Sequence, residues 1–435
     1  MRTLLCDGLV ITMDAERRVL RADILVEDDR IAAVTPRDAD TPRPRAGMAE
    51  DGTEVVDLCG MTVIPGLIQA HMHVTQALFR GLCDDFALME WLRERTWPME
   101  ASHDSASNAA SARLAAMELI RGGTTSIIDM GTTLHEDAIF EVMAETGLRG
   151  LFGKCMMDMG DDLPAVMRED ADECIRETGR LIRRWHMAQN GRLRCAVAPR
   201  FVPSCSEKLL ASARDLARQN GLRLHTHASE NLGEIALVEA RCRERNVRYL
   251  DRIGYTGDDV ILAHCIWLDD EEKRILAETG THVVHCPSSN TKLSSGIAPV
   301  TELKAMGANV ALGLDGAHNH MDGLLELRLA SVLQKACTHD PKALPAMEAL
   351  EMATLGGAAA MGQADELGSL EPGRKADLAV LDMNMPHSLP WCIRPRTKTW
   401  CTPWWTAASC TATGPSSRLT PPVPLPMRKS TAPPS

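Results

Sequence analysis

No Cys-x-x-Cys pair occurs among the 14 cysteines, which are scattered through 435 residues. That spacing excludes cysteine-based zinc fingers. A disulfide framework is not expected in so long a chain; reduced, mostly buried thiols and a cytoplasmic setting fit better. There is no apolar run of about 18 residues, so no membrane span is expected. The start, MRTLLCDGLVITMD, has one Arg, a short apolar run and then acids. It lacks the long apolar stretch and small-residue cleavage site of a signal peptide. Positive charge is also short: 47 Lys and Arg against 59 Asp and Glu leave a formal net charge of −12. This balance argues against nucleic acid or an acidic membrane surface as the main partner.

What is present is apolar bulk and a change of rhythm. The chain is 45% apolar, enough for a large core. Residues 1–60 read as short strands, LLCDGLVITMD, ADILVEDDRIAAV and TEVVDLCG, separated by polar turns. From about Met61, strand-like runs alternate with helical stretches: MTVIPGLIQAHMH, TTSIIDM, LRGLFGKCMMD, LRCAVAPR, LRLHTHASE, VILAHC, HVVHCPSSN and NVALGLDG. One intervening segment, SASNAASARLAAMELIRGG, has apolar residues at helical spacing and stops at Gly122-Gly123. This alternation predicts an α/β chain with a (β/α)8 barrel, which takes about 250 residues. We place the barrel at 61–364. Residues 365–391, with GSLEPGRKADLAVLDMN, return to strands that complete a small β-sandwich with residues 1–60.

The tail, 392–435, is rich in Thr, Pro, Ser and Trp and has no amphipathic period. Four of the eight Trp lie between Trp391 and Trp405, whereas disordered tails are normally poor in aromatics. Trp has a single codon. Read from its third base, Trp400-Cys401 and Trp404-Trp405 must each encode Val, and Trp405-Thr406 must encode Asp. The tail is therefore either disordered or the product of a reading-frame shift that replaced a closing hairpin. An unchanged frame in independent sequencing would remove the second reading.

Most of the barrel runs end in polar residues, and strand C-termini carry a barrel's chemistry. His71-Met72-His73 ends the first run, and residues i and i+2 on a strand share a face. His225 and His227 do the same in the fifth. His227, nearer the terminus, is the expected ligand, and His225 a packed or supporting residue. His264 ends VILAHC, and Asp315 ends VALGLDG, where a carboxylate is costly to bury unpaired. Three imidazoles and one carboxylate can hold a divalent ion that lowers the pKa of water from about 15.7 towards 7. Asp315 would take the water's proton, His264 would hydrogen-bond the nucleophile, and Glu230 would protonate the substrate ring and assist the leaving amine. Taken alone, each has an ordinary alternative; for Glu230 it is a carboxylate favoured at a helix start.

PGLIQAHMH, HTHASE, AHC, HCPSSN and LGLDG together resemble the amidohydrolase superfamily, within it the purine and triazine aminohydrolase branch. That branch includes methylthioadenosine/S-adenosylhomocysteine deaminase, deoxyadenosine deaminase, guanine deaminase and triazine hydrolases. The likeness runs to about Pro390. It implies His71, His73, His227 and Asp315 as metal ligands, Glu230 and His264 as proton-transfer and water-orienting residues, and usually zinc, sometimes iron. It also implies a small aminated heterocycle as ligand and a homo-oligomer as assembly.

Glu100, in FRGLCDDFALMEWLRERTWPMEASHD, stands where adenosine-derivative deaminases place a carboxylate that binds ribose hydroxyls; otherwise it is a solvated helix residue. Arg200 and Gln76 match guanine deaminase, as do Gly153-Lys154 and Met157-Asp158; an Arg and a Gln can satisfy a purine carbonyl or another polar ring. His318, Asn319 and His320 follow Asp315 on one loop and either shape the pocket or face solvent. The resemblance implies hydrolytic removal of an exocyclic amine from a purine, an adenosine derivative or guanine. An s-triazine amino- or chlorohydrolase comes second, then a cyclic amidase or a non-catalytic binding descendant. Triazine-hydrolysing relatives can lack the Glu of HTHASE, so Glu230 favours amine release.

Overall fold

The computed structural model describes residues 2–38, 40–316 and 320–383, and the backbone of 397–400. His318, Asn319 and the rest of the tail lie outside the described residues, and with them most of the stretch read as a frame shift. Among the described residues, no helix is long and apolar enough to cross a membrane.

Two strand systems of opposite character make up the α/β fold. In the first, Arg2–Ile11 pairs antiparallel with Val19–Glu27, which pairs antiparallel with Arg30–Pro36. Glu54–Asp57 and Met61–Pro65 run parallel to Arg2–Ile11. Leu378–Asp382 returns from the far end of the chain to lie antiparallel to Met61–Pro65, and Thr397–Trp400 pairs outside it. The inward side chains, including Leu5, Val10, Ile24, Ile31, Val63, Leu378 and Val380, form a core of their own. This period-2 burial is what the alternating residues of 1–60 dictate.

The second system is all parallel. Leu193–Cys195, Arg149–Phe152, Thr124–Asp129, Leu67–His73 and Asp315–Gly316 are neighbours in that order. Leu224–Ala228, Val260–His264, His282–His285 and Val310–Leu312 follow in theirs. Parallel bridges from Val197 to Leu224 and from Phe201 to His227 join the two groups on one side. On the other, Asp315–Gly316 continues the run of Val310–Leu312 and pairs with Leu67–His73. The strands are buried along their length, as expected of parallel strands covered by helices. The helix Ser105–Arg121 matches its sequence signals. Asp104 and Ser107 form a reciprocal capping box, and the chain leaves through Gly122 and Gly123, the latter at φ +85°.

The run MTVIPGLIQAHMH, read as one strand, is two. Met61–Pro65 belongs to the first sheet and Leu67–His73 to the parallel set, and Gly66 is the crossing point. Its amide donates to Asp377 O at 2.9 Å, and a Cβ there would stand 2.1 Å from the Thr125 side chain, so only glycine passes. Nearby, the Arg149 guanidinium grips the buried Asp377 carboxylate at 2.8 and 3.3 Å, tying a parallel strand to the returning segment.

Candidate active site

The C-terminal ends of the parallel strands bring the expected side chains together. His71 and His73 close Leu67–His73, His227 sits on Leu224–Ala228, His264 closes Val260–His264, and Asp315 opens Asp315–Gly316. The pairing of Leu67–His73 with Thr124–Asp129 slips between Gln69 and Met72, where buried Ile68 and Ala70 give way to the two imidazoles. His264 and Asp315 both adopt left-handed backbone, φ +74° and +63°, as does Ser229 at +54°. A non-glycine residue there costs about 1–2 kcal/mol, strain of the kind held at functional sites.

One donor atom from each of His71, His73, His227 and Asp315 lies within 4.8 Å of the others, and all four residues are buried. His71 Nε2 is 3.1 Å and His73 Nε2 3.5 Å from Asp315 Oδ1, and His73 Nε2 is 3.2 Å from His227 Nε2. His227 Nδ1 donates to the Arg200 carbonyl at 2.6 Å, which leaves its Nε2 as a lone-pair donor aimed at His73. Burial drives His73 and His227 well below the ordinary histidine pKa, reinforced by neighbouring imidazoles. Burial alone would raise Asp315, but the hydrogen bond from His71 and the charges of His264, His71 and His73 hold it well below the carboxylate range. Neutral imidazoles with an ionised carboxylate are the protonation states a divalent cation requires, so the donor set fits one.

Glu230 and His264 flank this cluster. His264 Nε2 is 3.5 Å from Glu230 Oε2 and 3.9 Å from Asp315 Oδ2, and has no hydrogen-bond partner among the described residues. Burial pulls His264 down, but Glu230, Asp315 and Asn290 outweigh it and its pKa is raised. Burial pushes Glu230 up to about 7, with Asp315 and Glu234 adding to the effect and His264 opposing it. A carboxyl poised there can give and take protons at neutral pH.

The three expected substrate residues also meet, but on one another. Gln76 lies on the turn Val74–Phe79, Glu100 on the helix Trp97–Ala101, and Arg200 just past Ala198–Pro199. Arg200 Nη1 donates to Glu100 Oε2 at 2.7 Å and Nη2 to Oε1 at 3.3 Å, while Gln76 Nε2 donates to Oε1 at 2.8 Å. All three are buried.

Sequence reading assigned no role to several supporting residues. Asn290 Oδ1 accepts from His264 Nδ1 at 2.8 Å, fixing which nitrogen faces the cluster. Ser289 Oγ donates to Asp315 Oδ2. Glu234 Oε2 accepts from the Glu230 amide at 2.7 Å, and Asp129 Oδ1 from the Val74 amide at 2.9 Å. HCPSSN carries Ser289 and Asn290, so the signal was in the sequence without its meaning. His225 supports the cluster from behind, with Nε2 2.8 Å from His71 Nδ1.

Known proteins are similar to this chain over most of its length. The sequence pattern of the amidohydrolase family matches residues 62–410. The 5'-deoxyadenosine deaminase of Methanothermobacter thermautotrophicus is 40% identical over 379 residues, 86% of this chain and 83% of that protein. A crystal structure of an adenosine deaminase from Xanthomonas campestris with bound zinc superposes with a TM-score of 0.81 at 32% identity, covering 89% of this chain and 86% of the other. Guanine deaminase from C. acetobutylicum with bound guanine gives 0.78 at 27%, covering 88% and 91%.

Proposed function

The chain belongs to the amidohydrolase family, and from that premise we propose that it is a metal-dependent deaminase. It removes an exocyclic amino group from a purine by hydrolysis and releases ammonia. The observation that carries this reading is the convergence of His71, His73, His227 and Asp315 within 4.8 Å, with Glu230 and His264 beside them. A cage of three neutral imidazoles and one ionised carboxylate suits zinc. A divalent cation held there would supply Lewis acidity, bringing water at the site towards a pKa of about 7.

The chain's own residues supply the rest. Asp315 Oδ2 accepts the proton of the attacking water. His264 Nε2 hydrogen-bonds the attacking oxygen, its ring held by Asn290. Glu230, near its pKa, gives a proton to a ring nitrogen and later helps the amine depart. The surrounding burial keeps competing water away and strengthens each of these interactions.

Parallel pairing from Leu67–His73 round to Asp315–Gly316 supports a closed (β/α)8 barrel, with a small β-sandwich made by the N-terminal and returning C-terminal strands. The purine reading draws on relatives that deaminate deoxyadenosine, adenosine and guanine. The direct test is ammonia release by the zinc-loaded protein from guanine, adenosine, 5'-deoxyadenosine, methylthioadenosine and S-adenosylhomocysteine. Release from at least one, lost on chelation, is expected. Failure of every purine with turnover of a chlorotriazine would overturn the purine assignment and favour the triazine alternative.

A further inference from the structure

One oxygen of Glu230 faces His264, and the other is unaccounted for. Oε1 is buried without a hydrogen-bond partner among the described residues. Ser295 Oγ is in the same condition, on a residue only 1% exposed. The two side chains bear on each other: burial raises the Glu230 pKa, and the Ser295 hydroxyl works against it. A hydroxyl proton turns to suit its acceptor, so a bond between them closes by side-chain rotation alone.

The backbone is built to keep Ser295 there. Ser294 and Gly296, on either side, are left-handed, at φ +50° and +125°. A serine holds that conformation only where its surroundings enforce it. The Ser295 amide donates to Asn290 O at 2.8 Å, and the Asn290 side chain is the one that accepts from His264. Trp267 makes a second tie. Its Nε1 donates to Ser295 O at 2.6 Å, and its amide donates to the carbonyl of Ser229, next to Glu230, at 3.1 Å. One residue thus spans from the peptide before Glu230 to Ser295. The indole also packs on Gly296, where a Cβ would stand 3.2 Å from the Trp267 ring and 2.8 Å from Ile266.

We propose that Ser295 is a positioning residue for Glu230: its hydroxyl donates to Oε1 of the carboxylate left when Glu230 gives its proton to the substrate ring, and Trp267 holds Ser295 within reach. This rests on the deaminase reading above and gives that site a further residue. The serine keeps its own proton throughout. By favouring the state with the acid proton on the ring nitrogen, it speeds the chemical step and not the binding of substrate.

Steady-state kinetics on the zinc-loaded protein, with the purine it turns over best, tests this. Ser295→Ala should lower kcat roughly 10–100-fold, the worth of a hydrogen bond to a charged group, and leave KM nearly unchanged. In a Glu230→Gln background, where no carboxylate forms, the same change should cost no more than about 2-fold. Trp267→Phe keeps a ring on Gly296 but loses the Nε1 donor. It should lower kcat by a smaller factor, again only when Glu230 is present, and it carries the test if Ser295→Ala does not fold. Equal losses in the two backgrounds overturn the proposal, because the serine then acts through something other than the carboxylate. So does a Ser295→Ala enzyme with unaltered kcat. Urea midpoints at pH 8 for Ser295→Ala, Glu230→Ala and the double variant read the contact without turnover. The two single losses should sum to more than the double loss, and simple additivity would count against the contact. A non-additive pair in a protein that releases ammonia from no purine would support the contact and defeat the deaminase reading.

Discussion

His225 Nε2 stands 2.8 Å behind His71 Nδ1, while the other nitrogen of His71 faces Asp315 at 3.1 Å. With an ion held by the cluster, Nδ1 would donate to His225 and Nε2 would offer the ion its lone pair in place of the hydrogen bond to Asp315. A ligand's outer partner of this kind fixes both its tautomer and its ring orientation. Replacing His225 with Ala should weaken zinc binding about 10–100-fold, read by competition against a chromogenic chelator. Unchanged affinity would make His225 a packing residue only.

Chelation should lower thermal stability, and added zinc should restore it. At about 100 times its dissociation constant a ligand stabilises by roughly 2.7 kcal/mol, a shift of a few degrees by differential scanning fluorimetry. Asp315→Ala should abolish the response. A zinc-dependent shift that persists in that variant would place the ion elsewhere.

Glu230→Gln should lower kcat by about 10²–10⁴-fold, the usual worth of a positioned proton donor, with zinc content unchanged. Burial lifts Glu230 to about 7, and the protonated form is the one that donates to the ring. The kcat/KM of the unaltered enzyme should therefore decline as pH rises through about 7. A Glu230→Gln enzyme within a few-fold of normal turnover would remove this residue from the chemistry.

Glu326 offers a test of stability rather than catalysis. It is fully buried at the start of the helix Gly323–Thr338, and burial pushes it up to about 8 despite hydrogen bonds from Ser288. The unfolded chain sheds this proton near the ordinary glutamate value of 4.5. Between those values the folded state holds a proton the unfolded state has lost, so stability falls as pH rises across the window and levels off above about 8. Glu326→Gln should be on the order of 1–4 kcal/mol more stable than the unaltered protein at pH 8, with little difference at pH 4. Urea midpoints at the two pH values check this; equal gains at both would contradict the sign.

The cluster of His71, His73, His227 and Asp315 was legible because strand ends announce themselves. An apolar run that stops at His-x-His, or at Asp followed by Gly, leaves a polar side chain few places to go. Pairings across long sequence separations were not legible. Glu100 and Arg200 are 100 residues apart and lie on a short helix and just past a two-residue strand, neither with a period to read. Asn290 and Ser289 sat in a recognised motif, yet their partners His264 and Asp315 are fixed only by the packing of neighbouring strands. Gly66 hid the boundary inside one apolar run because its role depends on Thr125, a contact no local pattern records.

The pairing of Met61–Pro65 with Leu378–Asp382 sets an order of events on the ribosome. Until the late segment emerges, the early sheet carries an unpaired edge, the kind of surface on which nascent chains aggregate. At roughly 5–20 residues per second the wait lasts on the order of tens of seconds. Transcripts cut short before that segment would leave the edge open for good, making folding yield in the cell depend on chaperones more than the size of the core around the parallel strands would suggest.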